Sequence, residues 1–321
     1  MEKQMKRLIG IDIGGTAIKF ALMDLQGTIE KKWRIPTNIS EKGKYIPEEI
    51  CCSIRASVSE DVLREVDGMG IGVPGAISSD GEVVVQAVNL DWKQLPLKRL
   101  ITQELGIDVC LLNDANAAAL GEMWQGAACG KKNLLFVTLG TGVGGGIILN
   151  GEVLNGCHSA GGEIGHIPVR SNENRLCGCG GRNCLETFAS ANGLILSMRK
   201  KLKLTGEAWE EITPPLIFEK AAENHAEAKE VLKEFIEILA QALAGIMNTI
   251  DVEEIVIGGG LSAAGEALLN PLKEQLETYV FPPIKQHFSL KKALLGNDAG
   301  FYGAAYSYLS KSTRKKNEAV H

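Results

Sequence analysis

The chain has 321 residues, 45% of them hydrophobic and 23% charged, which is ordinary globular composition and favours two domains with a cleft between them. The balance of 34 Lys and Arg against 39 Asp and Glu leaves a net charge of −5, and the sequence contains no long run of basic residues. We therefore do not expect electrostatic binding to nucleic acid. The N-terminal segment MEKQMKRLIGIDIGG matches neither a signal peptide nor a membrane span, so we expect a cytoplasmic protein with no membrane partner.

The first part of the chain predicts strands and helices in alternation. Three strands joined by glycine-containing turns form an antiparallel meander, at residues 8–13, 17–23 and 29–35. A helix is predicted over residues 45–66 and another over 95–105, with short strands at 68–73, 83–88 and 108–112. The last strand runs into Asn113, Asp114 and a helix through Met123.

A second cycle begins near residue 134. Apolar stretches at residues 134–139 and 146–149 flank a glycine-rich turn and repeat the pattern of the N-terminus, which predicts two lobes of duplicated architecture. The remainder is helix-rich, with periodic segments at residues 226–249 and 265–279 and a strand at 254–257 between them. Residues 203–215 have the composition of a surface loop.

The first glycine turn has the composition of a phosphate-binding loop. Asp12 ends a strand, Gly14 and Gly15 leave the backbone N–H groups open to close approach, and Thr16 adds a hydroxyl. Asp12 could reach a metal ion shared with the phosphates. A tight hairpin with an aspartate in its turn explains this segment equally well.

Two later glycine clusters extend this pattern. Gly140, Thr141 and Gly142 lie in a turn between two apolar strands, and the turn is neither a Walker loop nor a dinucleotide fingerprint. Residues 258–260 are three glycines at the end of a strand, before Ser262, which is a candidate N-cap of the next helix. An adenosine could lie there, although a plain strand-to-helix turn is the alternative.

Asp114 is a candidate general base. It follows a buried strand, so its side chain emerges at the carboxyl end, where ligands bind in open α/β sheets. Phosphoryl transfer needs a carboxylate that accepts the proton of the attacking hydroxyl. A carboxylate at this position is also a good helix N-cap, and that alternative stays open.

The cysteine pattern predicts a structural zinc site. Three thiols, from Cys177, Cys179 and Cys184, together with the imidazole of His166, make up a closed tetrahedral ligand set. Four protein ligands leave no open position for catalysis at the metal. The other cysteines are scattered, and we expect them to be small core residues: Cys51, Cys52, Cys110, Cys129 and Cys157.

Two carboxylates flank this cluster. Glu163 precedes His166 by one helical turn, and Glu186 follows Cys184 closely. Folding around the metal would bring both carboxylates together, and carboxylates accept hydrogen bonds from vicinal hydroxyls. The cluster therefore predicts a sugar pocket, whereas without zinc each glutamate would be an exposed surface charge.

Six motifs, in this order, resemble the ROK family (repressor, open reading frame, kinase), and the resemblance covers nearly the whole chain. The motifs are Asp12-Ile-Gly-Gly-Thr-Ala-Ile-Lys19, Gly72-Val-Pro-Gly75, Asn113-Asp114, Gly140-Thr-Gly-Val-Gly-Gly145, Gly161-Gly-Glu-Ile-Gly-His166 and the cysteine cluster. The resemblance implies an α/β, two-lobed actin-like ATPase (ribonuclease H-like) fold, with ATP and Mg²⁺ in the central cleft. We expect a small lobe of residues 1–115 plus a C-terminal helix over about 300–321, and a larger lobe of residues 116–299 that carries the zinc site.

The resemblance also implies residue roles. Asp114 would be the general base, and His166 would bind zinc through one ring nitrogen and the sugar through the other. The implied sugar ligands are Gly75, Asn89, Asn113, Asp114, Glu163, His166 and Glu186. The implied ATP and phosphate ligands are Asp12, Gly14, Gly15, Thr16, Lys19, Gly140, Thr141, Gly142, Gly258, Gly259 and Gly260.

The segment from Asn89 to Trp92 is similar to one that bacterial glucokinases of this family place over the sugar, which makes glucose the first choice of substrate. Asn183 departs from the family, which usually has glycine there, but asparagine tolerates the left-handed conformation. A kinase for N-acetylmannosamine, fructose, mannose or a β-glucoside is the alternative. A DNA-reading repressor is not expected, since Asp12 follows only eleven residues, and the intact Asp114 and glycine loops disfavour a noncatalytic sensor. A homodimer is the usual expectation.

Overall fold

The computed structural model describes residues 6–318, so the ends of the predicted small lobe, residues 1–5 and 319–321, lie outside the described residues. The strands are β1 (Arg7–Ile13), β2 (Ala17–Asp24), β3 (Ile29–Pro36), β4 (Val66–Val73), β5 (Ala76–Ile77), β6 (Val84–Ala87), β7 (Trp92–Leu95), β8 (Val109–Asn113), β9 (Leu134–Leu139), β10 (Val143–Leu149), β11 (Glu152–Val153), β12 (Glu254–Gly258) and β13 (Ser289–Lys292). The helices are α1 (Ile46–Ser57), α2 (Glu60–Leu63), α3 (Leu97–Leu105), α4 (Asp114–Gln125), α5 (Glu186–Ala189), α6 (Ala191–Thr205), α7 (Pro214–Ala222), α8 (Ala226–Ile250), α9 (Glu266–Tyr279), α10 (Pro282–Lys285) and α11 (Ala299–Glu318).

Two five-stranded sheets share one topology. The first has the order β3-β2-β1-β4-β8 and the second the order β11-β10-β9-β12-β13. In each sheet the first two pairings are antiparallel and the last two are parallel. The predicted duplication of strand, glycine turn and strand is therefore confirmed at the level of architecture. A smaller sheet, β5-β6-β7, extends the first lobe.

Each sheet is covered by helices on a core of aliphatic side chains. In the second lobe α8 places Phe235, Leu239 and Leu243 at helical spacing against a core that includes Leu135 and Val137 of β9. Burial of such side chains stabilises a fold by about 1.5–3 kcal/mol each. Strand β9 is therefore held rigidly, and the glycine turn that follows it starts from a fixed point.

Helix α11 returns to the first lobe and packs on β1 and β4. Gly10 and Gly70 lie directly beneath it, because a Cβ at either position would collide with the backbone carbonyls of Phe301 and Ala304. We propose the lobe assignment expected from the sequence, with residues 1–115 and α11 in the small lobe. Helix α4 leads from the small lobe into the large one.

Several predicted elements change in detail. The predicted helix over residues 45–66 is wrong as one element, because it breaks after Ser57 and Ser59 caps the short α2 by accepting a hydrogen bond from Val62 N. Helix α6 runs to Thr205 and α7 begins at Pro214, so the predicted loop shortens to residues 206–213. Within the described residues, we find no helix with the length and hydropathy needed to span a membrane.

The prediction that the scattered cysteines are core residues is confirmed for two of the five and wrong for three. Cys51 and Cys110 are buried, as expected. Cys52, Cys129 and Cys157 are exposed, because a one-residue step along α1 turns Cys52 away from the face that buries Cys51, and the other two lie in connections after α4 and β11. Apolar neighbours in sequence therefore did not ensure burial.

Candidate active site

The turn after β1 contains Gly14, Gly15 and Thr16 of the predicted phosphate-binding loop. Gly14 N donates to the Ala17 carbonyl at 3.0 Å, which closes the turn. A Cβ at Gly15 would meet nothing within 4 Å, so this side of the turn is open to a ligand. Thr16 lies exposed beside it. The segment is therefore both a tight turn and an accessible surface, and the two interpretations of the sequence are compatible.

Asp12 itself is held by an ion pair. Lys19 Nζ lies 3.1 Å from Asp12 Oδ2 and also donates to the carbonyl of Asn297 at 3.0 Å. The Asp12 side chain is 15% exposed. Burial raises the pKa of Asp12, and the charge of Lys19 opposes that rise. This pair joins β1, β2 and the segment before α11.

Asn113, and not Asp114, caps helix α4. Asn113 Oδ1 accepts from the backbone N–H groups of Ala115 at 2.9 Å and Asn116 at 3.2 Å, while Asn113 Nδ2 donates to the Gly75 carbonyl at 3.2 Å. Asp114 is the first residue of the helix, and its Oδ1 accepts from Ala115 N at 2.9 Å. The capping alternative for Asp114 is therefore wrong, and its carboxylate faces the cleft.

The surroundings of Asp114 perturb its titration. Burial raises the pKa of Asp114 to about 6, the Ala115 N–H opposes the rise, and the negative charges of Asp12 and Glu163 add to it. A carboxylate with a pKa near the operating pH is suited to general base catalysis.

The glycine turn after β9 is close to the zinc-cluster region. Gly140 N donates to the Gly142 carbonyl at 3.0 Å, and the tip residue Thr141 is exposed. A Cβ at Gly142 would lie 2.8 Å from Glu186 Oε2, so only glycine lets the turn approach that carboxylate without a shift. The turn, a predicted phosphate-binding segment, therefore lies directly beside Glu186, a predicted sugar ligand.

The three glycines after β12 differ in what they require. Gly259 has φ +78°, and a Cβ there would lie 2.5 Å from the Leu139 carbonyl oxygen, so both conformation and space demand glycine. A Cβ at Gly260 would meet nothing within 4 Å. The Ser262 prediction is wrong, because its hydroxyl donates to the Gly259 carbonyl at 2.7 Å within a 3₁₀ turn and α9 begins after Gly265.

One cleft, of about 730 Å³, joins many of these residues. It is lined by residues from both sheets, among them Asp12, Lys19, Asp114, Gly258, Gly259 and Gly260. Sequence reasoning missed Glu122, a fully buried residue of the cleft wall. Its carboxylate accepts from Leu294 N at 3.1 Å and Leu295 N at 2.8 Å, which ties α4 to the segment before α11.

The predicted zinc ligands converge. One ligand atom from each of His166, Cys177, Cys179 and Cys184 lies within 4.8 Å of all the others. Cys179 Sγ lies 3.7 Å from Cys184 Sγ, and Cys177 Sγ lies 3.6 Å from His166 Nδ1. The edge of a tetrahedron with Zn–S bonds of 2.3 Å is roughly 3.8 Å, so this donor set fits zinc.

The flanking carboxylates lie against this cluster. His166 Nε2 lies 3.9 Å from Glu163 Oε2, while Nδ1 faces Cys177. Glu186 Oε1 lies 3.0 Å from Cys177 Sγ. The two ring nitrogens of His166 thus point to different partners, as the predicted double role requires. Asn89, in contrast, lies in an exposed 3₁₀ turn, Val88–Leu90, on the other lobe.

Sequence reasoning also missed a buried arginine behind the cluster. Arg175 is 5% exposed in its side chain and lies 4.0 Å over the Phe188 ring. It donates to the Thr187 carbonyl at 2.6 Å, which fixes α5, the helix that begins with Glu186. Asn183 has φ +53°, as tolerated for asparagine, and its Oδ1 accepts from Arg175 N at 2.8 Å. An Arg beside a metal loop carries no distinctive sequence signal.

Known proteins of similar sequence and structure agree on one family. The model of the ROK family matches residues 8–311. A glucokinase from Halalkalibacterium halodurans is 40% identical over 308 residues, which cover 93% of this chain and 93% of the relative. A xylose repressor from Caldicellulosiruptor bescii is 31% identical over 300 residues. The match covers 91% of this chain and 74% of the repressor.

A solved ROK family glucokinase from Streptomyces griseus, in complex with glucose and AMPPNP, has a TM-score of 0.73 to this structure. It is 32% identical, and the match covers 94% of this chain and 98% of that one. The predicted two-lobed α/β fold of the actin-like ATPases is therefore confirmed. From its sequence and its fold, the chain belongs to the ROK family.

Proposed function

We propose that the protein transfers the γ-phosphoryl group of ATP to a hexose, with glucose as the acceptor. The observation that carries this proposal is that Asp114, a partly buried carboxylate with a raised pKa, shares one cleft with Asp12, Lys19 and the glycines after β12. A general base and a phosphate-binding wall are the two parts that a phosphoryl transfer site needs. The similarity to glucokinases supports the choice of sugar.

The nucleotide would be held from both lobes. The turn after β1 (Gly14, Gly15, Thr16) and Lys19 would contact phosphates from one side, and the turn after β9 (Gly140, Thr141, Gly142) from the other. Gly258, Gly259 and Gly260 would border the adenosine. Asp12 offers the hard oxygen ligand that Mg²⁺ prefers and would hold the ion, which neutralises phosphate charge during transfer.

The sugar would lie between Asp114 and the zinc cluster. Asn113, Glu163, His166 and Glu186 are the proposed hydroxyl partners, with Gly75 and Asn89 contributing from the small lobe. His166, Cys177, Cys179 and Cys184 would hold zinc, which supplies no chemistry but fixes the direction of His166 and the positions of both glutamates. Asn89 is exposed on a turn of the small lobe, and its contact with the sugar would form when the lobes close.

In the reaction, the ionised Asp114 would accept the proton of the attacking sugar hydroxyl. The hydroxyl oxygen forms its bond to the γ-phosphorus while the bond to the bridging oxygen of ADP breaks, and the proton remains on Asp114 until product leaves. The negative charges of Asp12 and Glu163 favour the proton on Asp114 and so assist this step.

The dependence of kcat/KM on pH tests directly whether Asp114 is the general base. Because Asp114 must be ionised and its pKa is raised to about 6, kcat/KM should be level at neutral pH and fall about tenfold for each pH unit below 6. A profile that stays level down to pH 4.5 would mean that no group with this pKa controls the reaction.

A coupled ADP-release assay with Mg·ATP decides the acceptor. The panel comprises glucose, mannose, fructose, N-acetylglucosamine, N-acetylmannosamine and a β-glucoside, and we expect the highest kcat/KM for glucose. Preference for another sugar would keep the mechanism and change the substrate, since single hydroxyls are discriminated by side-chain placement. No turnover with any of these sugars would favour a noncatalytic sensor.

The cytoplasmic location and the homodimer stay predictions.

A further inference from the structure

A second cavity lies between the lobes, and we call it the junction cavity. Its volume is about 200 Å³, and none of its lining residues lines the cleft that contains Asp12 and Asp114, although Asn113, a proposed sugar partner, lies in its wall. Residues 78–81 of the small lobe form one wall, and residues 151–153 of the large lobe form another. Helix α11 forms a third wall, to which Ser310 belongs. A ligand in it would touch both lobes.

Helix α4 separates the two spaces. Asp114, Ala118 and Glu122 line the catalytic cleft, whereas Asn116 and Leu120 line the junction cavity. Two residues along an α-helix correspond to a rotation of about 200°, so the two sets lie on opposite faces. The junction cavity is therefore behind the helix that carries the proposed base.

One wall contains a polar group without a partner. Asn116 is 6% exposed, and its Oδ1 has no hydrogen-bond partner within residues 6–318. Its neighbour Asn113 differs, because its Oδ1 accepts from Ala115 N and Asn116 N, and its Nδ2 donates one hydrogen bond to the Gly75 carbonyl. A buried amide oxygen without a partner is costly and uncommon, and Asn116 lines the cavity, so a ligand hydroxyl would pair with this oxygen once the amide turns toward the cavity.

The charges around the junction cavity cancel. Asp80 and Glu152 are balanced by Lys311 and Arg314, and Arg314 Nη1 lies 2.6 Å from Glu152 Oε1. An ion of either sign gains little there, while serine hydroxyls and asparagine amides offer many neutral hydrogen bonds. At about 30 Å³ for each water, the volume corresponds to about seven water molecules, or one six-membered sugar ring.

We infer that the junction cavity is a second binding site, which takes a small neutral polyhydroxyl molecule of the monosaccharide or cyclitol class. The Asn116 amide would hold one hydroxyl, and Ser79 and Ser159 would contact it from the small and the large lobe. Because its walls belong to both lobes, occupancy favours the lobe arrangement that fits the ligand, and by linkage it changes the affinity of the catalytic cleft. This linkage rests on the proposed kinase function, whereas the binding step does not.

The test uses myo-inositol as the probe, since it is neutral, of hexose size and without a primary hydroxyl to phosphorylate. It is titrated at millimolar concentration into the full chain in the presence of glucose and AMPPNP, and binding is followed by saturation-transfer NMR. Asn116→Leu removes the amide, and Ser310→Trp fills the cavity from its rim. Ser312→Trp is the matched control, since it lies on the same helix outside the junction cavity.

We expect the probe to bind the unmodified protein and to bind at least about tenfold more weakly to Asn116→Leu, which is the effect of one lost hydrogen bond, and to Ser310→Trp, whose indole ring takes up the space. Binding to Ser312→Trp and to Asp114→Ala should be unchanged. If the probe does not bind, the junction cavity holds water only and the inference is wrong. Unchanged binding to a folded Ser310→Trp protein places the probe elsewhere and overturns it as well.

Discussion

Replacing Asp114 by alanine or asparagine should lower kcat by on the order of 10²–10⁴-fold, with a much smaller effect on the affinity for sugar. Asparagine keeps the size of the side chain and its hydrogen bond from Ala115 N but cannot accept the substrate proton. Steady-state kinetics with glucose and Mg·ATP measure the effect. Asp61→Ala is the matched control, because Asp61 also lies in the first turn of a helix but is exposed and does not line the cleft.

The same substitution should not destabilise the protein. The folded pKa of Asp114 is raised from 3.8 to about 6, so the folded state binds more protons than the unfolded state in that window and stability falls as pH rises through it. The ionised carboxylate therefore costs stability above pH 6, by at most about 3 kcal/mol. Asp114→Asn should be at least as stable as the unmodified protein at pH 8 by urea unfolding. Near-normal turnover in a folded variant would remove Asp114 from the role of base.

Removing the zinc ligands should cost both stability and sugar affinity. We expect about one zinc per chain by elemental analysis, and Cys179→Ser or Cys184→Ser should lose it, because three donors bind the ion far more weakly than four. The melting temperature should fall by on the order of 5–10 °C. The KM for glucose should rise by about tenfold or more, since Glu163, His166 and Glu186 lose their fixed positions.

Cys52→Ser provides the control for the zinc prediction. Cys52 is exposed and lies on α1 in the other lobe, so its loss should change neither zinc content nor KM. Treatment with a chelator gives an independent measurement on the unmodified protein. If chelation removes zinc without any change in melting temperature or KM, the metal supports neither the fold nor the pocket. A protein that binds no zinc at all would contradict the assignment of the four ligands.

The architecture could be predicted from sequence because it depends on local patterns. Strand, glycine turn and strand occur near residues 8 and 134, and this repeat predicted the duplicated architecture, whereas the strand order of each sheet came from the structure. Boundaries were less predictable, since the break after Ser57 depends on one capping serine, Ser59, within an otherwise helical pattern. The convergence of the cysteines was predictable for a different reason, since the three residues lie close in the chain with glycines between them and need little tertiary information to meet.

The duplicated architecture, the glycine turns and the clustering of His166 with three cysteines could be predicted from sequence alone, because each depends on residues near one another in the chain. Two contacts of α4 became visible only in the folded chain: Asn113, and not Asp114, caps the helix, and Glu122 ties it to residues 294–295. The tertiary structure also placed Asn116 with an unpaired oxygen beside a cavity walled by both lobes. Such relations depend on which face of a helix meets which distant segment, and packing between remote parts of the chain sets that.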